Sequence, residues 1–274
     1  MPYSRLKSST NPTFFDIPDQ EEHLIAVKMN ENTNGSMMNH LLEALPKEDF
    51  ERIEPKLGSV SLKLGQVLYE SGDKMSHIYF PTTAIVSMLY IMENGGTAEI
   101  GIAGNNGLIG MALFMGGDTT SSRAVVQSAG IAVRMTKQDL LEEFRRGGIF
   151  QDVLLRYTQT LMTQISQTAV CNRLHTIQQQ LCRWLLINHD QLPADTLVMT
   201  HDLIANMLGV RREGVTQAAG HLQEMGYIRY ARGTVTILDR KGLEKICCEC
   251  YQVVADEYDR MMGKYLRKSE RAKV

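Results

Sequence analysis

Residues 200–239 read THDLIANMLGVRREGVTQAAGHLQEMGYIRYARGTVTILD. Thr200 is a good N-cap for a helix over about His201–Leu208. Gly209 can end that helix, because glycine adopts the left-handed conformation at little steric cost. A second helix is predicted over about Arg211–Glu224. Two helices joined by a short turn that contains glycine are typical of the helix-turn-helix motif.

The second helix has one apolar and one polar face when its residues are placed about 100° apart. Val215, Ala218, Ala219 and Leu222 lie on the side that packs inward. The opposite side carries arginine, glutamate, threonine and glutamine, whose donors and acceptors match base edges in the major groove. A solvated face of an ordinary helix is the alternative, which the helix-turn-helix spacing disfavours.

An alternating segment follows the second helix and predicts a β-hairpin wing. Residues 227–238 contain two runs of alternating apolar and polar residues around Arg232-Gly233, which is typical of a hairpin. Arg229 and Arg232 then place positive charge beside the second helix. The predicted DNA-binding residues are Thr200, Arg211, Arg212, Glu213, Thr216, Gln217, Arg229 and Arg232.

Residues 57–136 have the period of half-buried β-strands. Val60, Leu62 and Leu64 alternate with polar residues, as in a strand with one buried face. Asn94-Gly95 between apolar runs indicates a hairpin. Many short strands at close spacing predict an antiparallel barrel or sandwich. The further predicted strands are Gln66–Tyr69, His77–Phe80, Ile85–Met92, Ala98–Ile102, Arg123–Gln127 and Ile131–Arg134.

A short helix is predicted over Asp139–Arg146, and a longer one from Phe150 to about Cys171. Between Arg156 and Arg173 the chain has no charged residue, so we expect the longer helix to be covered on more than one side. A seam with alternating steps of four and three residues predicts a coiled-coil dimer interface. The alternative is a buried core helix in a monomer. The predicted dimer interface consists of Leu154, Thr158, Leu161, Ile165 and Thr168.

The order of a β-roll, a long helix and a winged helix resembles the Crp/Fnr transcription regulators over about Leu41–Asp239. The most specific part is residues 208–215, LGVRREGV, which is similar to the family's Gly-x-x-Arg-Glu-x-Val start of the recognition helix. The resemblance implies that Arg212 and Glu213 are the paired base contacts. Gln217 departs from the family pattern, because many members have a basic residue at this position.

The resemblance also implies a cyclic-nucleotide pocket in the β-roll, with a phosphate cassette of Gly-Glu followed by Arg-Ser-Ala. Met111 stands where the family has the glutamate, and methionine is a poor acceptor for a ribose hydroxyl. Ser122 and Arg123 are in reversed order, so Arg123 should point to the other face of its strand. We therefore expect a sensor fold that does not bind cyclic AMP. The corresponding pocket residues are Gly110, Met111, Ser122, Arg123 and Ala124.

These patterns predict an α+β fold with an N-terminal antiparallel β-roll of jelly-roll type, a long central dimerisation helix and a C-terminal winged helix-turn-helix. We predict a flexible tail at 1–36, a cyclic-nucleotide-binding-like sensor domain at 37–136, the dimerisation helix at 137–172 and the DNA-binding domain at 173–274. The last range includes an amphipathic helix after Asp239, which we expect to pack on the DNA-binding domain. A partner-binding helix is the alternative.

Five cysteines in 274 residues are an odd number, and three of them form the run Cys247-Cys248-Glu249-Cys250. This usage is typical of reduced thiols rather than of a disulfide framework. A metal site or a redox pair is the alternative, but no second cysteine pair has zinc-site spacing. We expect buried, inert thiols, a structural role for His175 and no bound metal.

The charge sum of 29 − 31 = −2 predicts that any nucleic-acid site is a local basic patch. The chain has no apolar signal core, no membrane-length apolar stretch and no enzyme motif such as a P-loop. These features predict a cytoplasmic protein that is not an enzyme, has no cofactor and does not contact a membrane.

We therefore predict a homodimeric, sequence-specific transcription regulator. Its expected partners are double-stranded DNA, a second copy of the chain and RNA polymerase, together with an effector ligand that the sequence does not identify. The alternative is a small-molecule-binding β-roll protein whose C-terminal half contacts proteins and not DNA. Salt-dependent binding to duplex DNA separates the two, because phosphate contacts release counterions.

Overall fold

Seven strands build the N-terminal unit of the computed structural model, which describes residues 38–192 and 194–272. They are β1 (Gly58–Leu62), β2 (Val67–Tyr69), β3 (His77–Pro81), β4 (Ile85–Ile91), β5 (Thr97–Ala103), β6 (Arg123–Ser128) and β7 (Gly130–Thr136). The pairing is antiparallel throughout, in the orders β1-β7-β3 and β2-β6-β4-β5. This confirms the predicted antiparallel β-roll. The tail predicted at 1–36 lies outside the described residues.

Both faces of strand β4 are buried, which explains its nearly continuous apolar sequence. Val86 and Met88 face the core between the two sheets, whereas Ile85 and Leu89 belong to a second core outside the roll. The predicted hairpin between β4 and β5 is present and contains Gly95 at φ 82°. The β-roll therefore has packing partners on its outer surface as well as inside.

Helices cover the roll and build the C-terminal half. They are α1 (His40–Glu43), α2 (Lys47–Ile53), α3 (Lys137–Arg146), α4 (Gly148–Leu174), α5 (Ile177–Asp190), α6 (His201–Leu208), α7 (Arg212–Glu224), α8 (Arg240–Ile246) and α9 (Glu249–Ala272). A third antiparallel sheet has the order β8 (Thr196–Val198), β10 (Thr234–Ile237) and β9 (Ile228–Ala231). The predicted helix-turn-helix and wing are confirmed as α6, α7 and β9–β10. Strand β8 was not predicted, because three residues are too few to show alternation.

No helix in the described part of the chain combines the length and the apolar character needed to cross a membrane.

The face of α4 that was predicted to contact a second copy packs within one chain. Leu154, Leu161, Thr158 and Thr168 are 0%, 2%, 6% and 8% exposed, and Ile165 packs against the same core. Strand β5 and helix α9 lie against α4. The prediction of a dimer seam at these five residues is therefore corrected to an intramolecular contact. Periodicity identified the buried face of the helix but not the element that covers it.

Helix α9 lies along α4 and adds Met262 and Tyr265 to the core of the β-roll unit. The Tyr265 hydroxyl donates a hydrogen bond to the Asp152 carboxylate of α4. The Arg156 guanidinium lies 5.4 Å from the centre of the Tyr265 ring. The expectation that the last segment packs on the DNA-binding domain holds for α8, whose Leu243 belongs to the core of the C-terminal half, whereas α9 packs mainly on α4. The segment is also two helices, α8 and α9, where one was expected.

A second face of α4 remains exposed in the single chain. Leu155, Met162 and Val170 are 48%, 52% and 43% exposed, and the exposed polar residues Gln159 and Ser166 lie between them. The five residues follow one another in steps of three or four, so they share one side of the helix. We call Leu155, Gln159, Met162, Ser166 and Val170 the outer stripe.

The C-terminal half packs directly on the outer face of the four-stranded sheet. Apolar residues of β4, β5 and β6 share a core with α5, α6 and α7. Inside this core the Trp184 indole N–H donates to Glu99 Oε1 at 2.9 Å, and Gln127 donates to Asn188 Oδ1. Burial raises the pKa of Glu99 to about 7. The four-stranded sheet and the helix-turn-helix are therefore joined by a continuous buried interface.

Candidate nucleic-acid interface and sensor site

The helix-turn-helix begins with a capped helix. The Thr200 hydroxyl accepts a hydrogen bond from the Leu203 N–H at 3.2 Å, which satisfies one of the unpaired donors in the first turn of α6. Gly209 follows α6 at φ 67°, in the left-handed region that favours glycine. The Val210 N–H donates back to the Ala205 carbonyl at 3.0 Å. This closed turn sets the direction in which α7 leaves α6.

Helix α7 has a buried face that holds it in place. Val215 and Leu222 are fully buried, and the neighbouring Ala218 is 5% exposed. Gly214 lies against α5, where an added Cβ would be 2.6 Å from Ile177 Cδ1, so a larger residue needs displacement of that side chain. The predicted DNA-binding residues on and just before the opposite face are all exposed: Arg211, Arg212, Glu213, Thr216 and Gln217.

The polar contacts on the exposed face are weak ones. Arg212 Nε lies 3.5 Å from Asp202 Oδ1, and the two side chains are 63% and 61% exposed. Such a surface pair contributes about 0–1 kcal/mol, so its exchange for a contact with DNA costs little. The Thr216 hydroxyl donates to the Arg212 carbonyl at 3.1 Å and lies 3.0 Å from His201 Nδ1. Burial and the Arg212 charge lower the pKa of His201.

The wing turns at Arg232-Gly233, as predicted. Both residues have positive φ, 50° and 74°, which is typical of a two-residue type I′ hairpin. The Tyr230 ring stacks on the His201 ring with their centres 4.0 Å apart, and this contact ties the wing to α6. Arg229 and Arg232 are exposed on the wing. The structure therefore presents both arginines close to the helix-turn-helix.

In the predicted effector pocket, the basic residue already has a carboxylate partner. Arg123 Nη2 and Nε lie 2.7 Å and 2.8 Å from the carboxylate oxygens of Glu70, and the Arg123 side chain is 17% exposed. Ser122 is 6% exposed, and its hydroxyl lies 3.0 Å from that of Thr120. Both side chains that could contact a phosphate are therefore engaged by neighbouring residues.

The other predicted pocket residues contribute a turn and apolar packing. Gly110 adopts φ 104° before the short 3-10 turn Met111–Leu113. Met111 packs against the β-roll core, and Ala124 is fully buried within it. Gly110 has no side chain, and those of Met111 and Ala124 offer no strong hydrogen-bond acceptor to a ribose hydroxyl.

A cavity of about 330 Å³ is lined mainly by α4, α5 and α9, with His40, Ile102, Asn106 and Gln191 completing its walls, and it includes none of the predicted pocket residues. Its walls include Tyr157, Gln164, Asp190, Tyr251 and Tyr258. No sequence pattern indicates this cavity, because its lining comes from several separate segments, and spacing within one helix does not reveal what the other segments contribute.

A cluster of three cysteines and one histidine also escaped the sequence analysis. The candidate ligand atoms of Cys171, His175, Cys248 and Cys250 all lie within 4.8 Å of one another. The expected burial of the thiols is present for Cys171, Cys248 and Cys250, but the expectation did not include their convergence with His175. The four residues belong to two segments far apart in the chain, 171–175 and 248–250, so the run Cys247-Cys248-Glu249-Cys250 by itself did not indicate the other two members.

The β-roll, the long helix and the winged helix-turn-helix with its exposed polar face define a transcription-regulator architecture. Two family models match the chain: the cyclic nucleotide-binding domain over residues 59–146 and the Crp-like helix-turn-helix domain over residues 179–246. The chain belongs to the Crp/Fnr family of DNA-binding transcription regulators.

A curated relative and two solved structures are similar to this chain. The transcriptional regulator SdrP of Thermus thermophilus is 25% identical over 196 residues, which are 69% of this chain and 93% of the relative. FixK2 from Bradyrhizobium japonicum has a TM-score of 0.61 at 14% identity, with 70% of this chain and 98% of that one covered. A regulator of the CRP family from Thermus thermophilus has a TM-score of 0.57 at 18% identity, with 69% and 95% covered. The two structures share the fold of this chain.

Proposed function

We propose that the protein is a homodimeric regulator that binds a two-fold DNA site in a sequence-specific manner. The observation that supports this most strongly is the exposed face of α7, which is anchored from behind by the buried Val215. Arg212 is proposed to bind guanine O6 and N7, and Glu213 to accept from a cytosine amino group. Thr216 and Gln217 lie one turn further along the same face and are proposed to contact adjacent bases or phosphates.

The proposed phosphate contacts surround this face. Arg211, Arg229 and Arg232 are exposed, and the wing turn carries Arg232 at its tip. Arg211 is the N-cap residue of α7, and its side chain makes no capping hydrogen bond. The first N–H groups of α7 therefore remain available to a phosphate oxygen. Thr200 is proposed to act indirectly: its hydroxyl caps α6 and so helps to position the helix-turn-helix.

The proposed dimer contact is the outer stripe of α4. Its three apolar members leave a row of hydrophobic side chains in water, and exposed apolar patches of this kind mark interaction surfaces. The two polar members carry no charge, so a second copy can pack on them without burying an ion. A two-fold dimer predicts DNA half-sites about one helical turn apart.

The dimer contact is tested by the double substitution Leu155→Lys and Met162→Lys. We expect folded monomers in sedimentation velocity and the loss of binding to a two-fold DNA site, because like charges would face each other across the contact. Met115→Lys is a matched control, since Met115 is 55% exposed on the β-roll, and it should remain dimeric. A double variant that still sediments as a dimer would overturn the outer stripe as the interface.

DNA recognition is tested by selecting bound duplexes from a random pool with the purified chain. We expect a symmetric consensus sequence, and an affinity that falls steeply with salt because bound phosphates release counterions. Equal affinity for selected and random duplexes would contradict sequence-specific recognition.

We also infer that cyclic AMP and cyclic GMP are not effectors. A cyclic phosphodiester carries one negative charge, and its burial needs a paired cation and several donors. Arg123 is the only basic residue between positions 101 and 133, and Glu70 pairs with it. Isothermal titration with either nucleotide should show no binding. Micromolar binding with one site per chain would overturn this inference.

A further inference from the structure

The cysteine–histidine cluster joins two parts of the chain. Cys171 lies in the last turns of α4, and His175 follows the end of that helix. Cys248 lies in the break between α8 and α9, and Cys250 is in the first turn of α9. The His175 N–H donates to the Cys171 carbonyl at 3.0 Å, so helix geometry sets the spacing of the first pair. The cluster therefore connects the α4–α5 junction to the α8–α9 junction.

The distances in the cluster match a tetrahedral ion site. Cys171 Sγ lies 3.6 Å from Cys248 Sγ, and Cys250 Sγ lies 3.5 Å from His175 Nδ1. Zinc bonds of about 2.3 Å to sulfur and about 2.0 Å to nitrogen give tetrahedral edges of about 3.8 Å between sulfurs and about 3.5 Å between sulfur and nitrogen. Four ligand atoms within 4.8 Å of one another can thus surround one ion.

The surroundings of the cluster resemble those of a closed metal site. Cys171, Cys248 and Cys250 are 0%, 5% and 1% exposed. The second ring nitrogen of His175, Nε2, lies 3.4 Å from Glu249 Oε2. A carboxylate on the far nitrogen of a ligating imidazole orients the ring and sets its tautomer, which leaves Nδ1 facing the sulfurs.

A buried cation lies next to the cluster. Arg183 is 3% exposed, and its Nη1 donates to the neutral hydroxyl of Thr168 at 3.1 Å. Its Nε has no hydrogen-bond partner among the described residues. The guanidinium interacts electrostatically with the Cys171 sulfur and with the Glu99 carboxylate. Three thiolates and a neutral imidazole around a divalent ion carry a net charge of −1, which this arginine would balance.

We propose that this cluster binds one Zn²⁺ ion in a closed structural site whose ligands are Cys171, His175, Cys248 and Cys250. The donor set of three thiolates and one imidazole is one that structural zinc prefers. Zinc would fasten the start of α9 to the end of α4, and so hold the last helix along the long one. The site leaves out Cys182 and Cys247, which are not members of the four-residue cluster.

Two other occupants fit the geometry less well. A four-iron cluster binds each cysteine at a different iron, so its ligands spread over a larger space than one shared ion requires. A disulfide between Cys171 and Cys248 would use two sulfurs about 2.05 Å apart and would leave Cys250 and His175 without a role. Both occupants are distinguishable outcomes of the experiment.

The test is elemental analysis of the full chain purified without chelator from zinc-supplemented and iron-supplemented cultures. We expect about one zinc per chain and colourless protein, with zinc released by a mercurial reagent that titrates the thiols. Replacement of zinc by Co²⁺ should give visible bands of tetrahedral cobalt and thiolate charge-transfer bands in the near ultraviolet. Iron with inorganic sulfide, a Cys171–Cys248 disulfide in freshly purified protein, or the absence of any metal would each overturn the proposal.

Substitutions assign the ligands. Cys248→Ser and Cys250→Ser should each reduce the zinc content severalfold and lower the thermal midpoint. Cys182→Ser is the matched control, because Cys182 is also fully buried yet lies outside the cluster, and it should retain zinc. If a ligand variant does not fold, the cobalt spectrum of the unsubstituted chain still decides the matter. Full zinc content in Cys250→Ser, or zinc loss in Cys182→Ser alone, would contradict the proposed ligand set.

Discussion

The helix pair α6–α7 and the helix pair α4–α9 differ in how much of their packing the sequence reveals. Helices α6 and α7 are joined by a turn of three residues, so each constrains where the other can lie. Helices α4 and α9 pack along each other although one ends at Leu174 and the other begins at Glu249. The first pair was predicted from local pattern. The second pair was not predicted: the buried face of α4 was interpreted as a dimer seam, because an apolar stripe does not indicate which element covers it.

The largest expected effect separates the two faces of α4. Leu161→Ala should lower the free energy of unfolding by about 2–5 kcal/mol, because Leu161 is 2% exposed in the single chain. This loss should not depend on protein concentration in urea unfolding. Met162→Ala, at the neighbouring position that is 52% exposed, should change only the concentration-dependent part of the stability. If both variants lost similar amounts of unfolding free energy and both losses depended on protein concentration, Leu161 would belong to the dimer interface after all.

The next effect concerns the buried link between the four-stranded sheet and α5. Burial raises the pKa of Glu99 from 4.5 to about 7, so the folded state binds more protons than the unfolded state between these values. The free energy of unfolding should therefore fall as pH rises from about 4.5 through 7, by about 3 kcal/mol from this group.

Glu99→Gln tests that link, since glutamine can still accept from the Trp184 indole N–H but does not ionise. We expect the variant to lose the corresponding part of the pH dependence in denaturant titrations from pH 4 to 8. Glu51→Gln is the control, because Glu51 is 59% exposed, and it should keep the profile of the unsubstituted chain. If the pH dependence of the unfolding free energy were unchanged in Glu99→Gln, a group other than Glu99 would be responsible for it.

A smaller effect distinguishes the recognition helix from the wing. Arg212→Ala should reduce discrimination at one base pair of each half-site by about 1–3 kcal/mol. Arg232→Ala should instead weaken binding to selected and to random duplexes to a similar extent. It should also reduce the slope of log affinity against log salt concentration by about one. Fluorescence anisotropy with both duplexes over a salt series measures both quantities. Equal losses on both duplexes for Arg212→Ala would count against its role as a base contact.

The smallest expected effect lies in the cap of α6. Thr200→Ala removes the hydroxyl that accepts from the Leu203 N–H and should lower the free energy of unfolding by about 1 kcal/mol. Thr200→Ser keeps the acceptor and should be close to neutral. Thermal unfolding of the two variants side by side measures the difference, and equal midpoints would show that the cap contributes little.

Much of the fold followed from patterns that span only a few residues. The left-handed turn at Gly209 and the β4–β5 hairpin that contains Gly95 are present as predicted. The alternation of the β-roll strands and the buried face of α7 also correspond to the structure. These features were accessible because backbone sterics and residue periodicity act locally.

The features that were missed all require contact between distant segments. Cys171 and Cys248 became neighbours only when α9 was placed along α4. The pairing of Arg123 with Glu70 was not predicted, because Glu70 follows the end of β2 and lies 53 residues away in the chain. Neither contact can be predicted from the local sequence pattern, because residue spacing within one element does not indicate which other element packs against it.

The sequence by itself determined the order of the units, the strands of the roll, the helix-turn-helix with its wing, and which faces of the helices are apolar. The tertiary structure decided what covers those faces: α9 and β5 on α4, and the helix-turn-helix on the four-stranded sheet. The physical reason is that burial of apolar surface is non-directional. A hydrophobic stripe therefore specifies that it must be covered, and only complementary packing of the whole chain selects the partner.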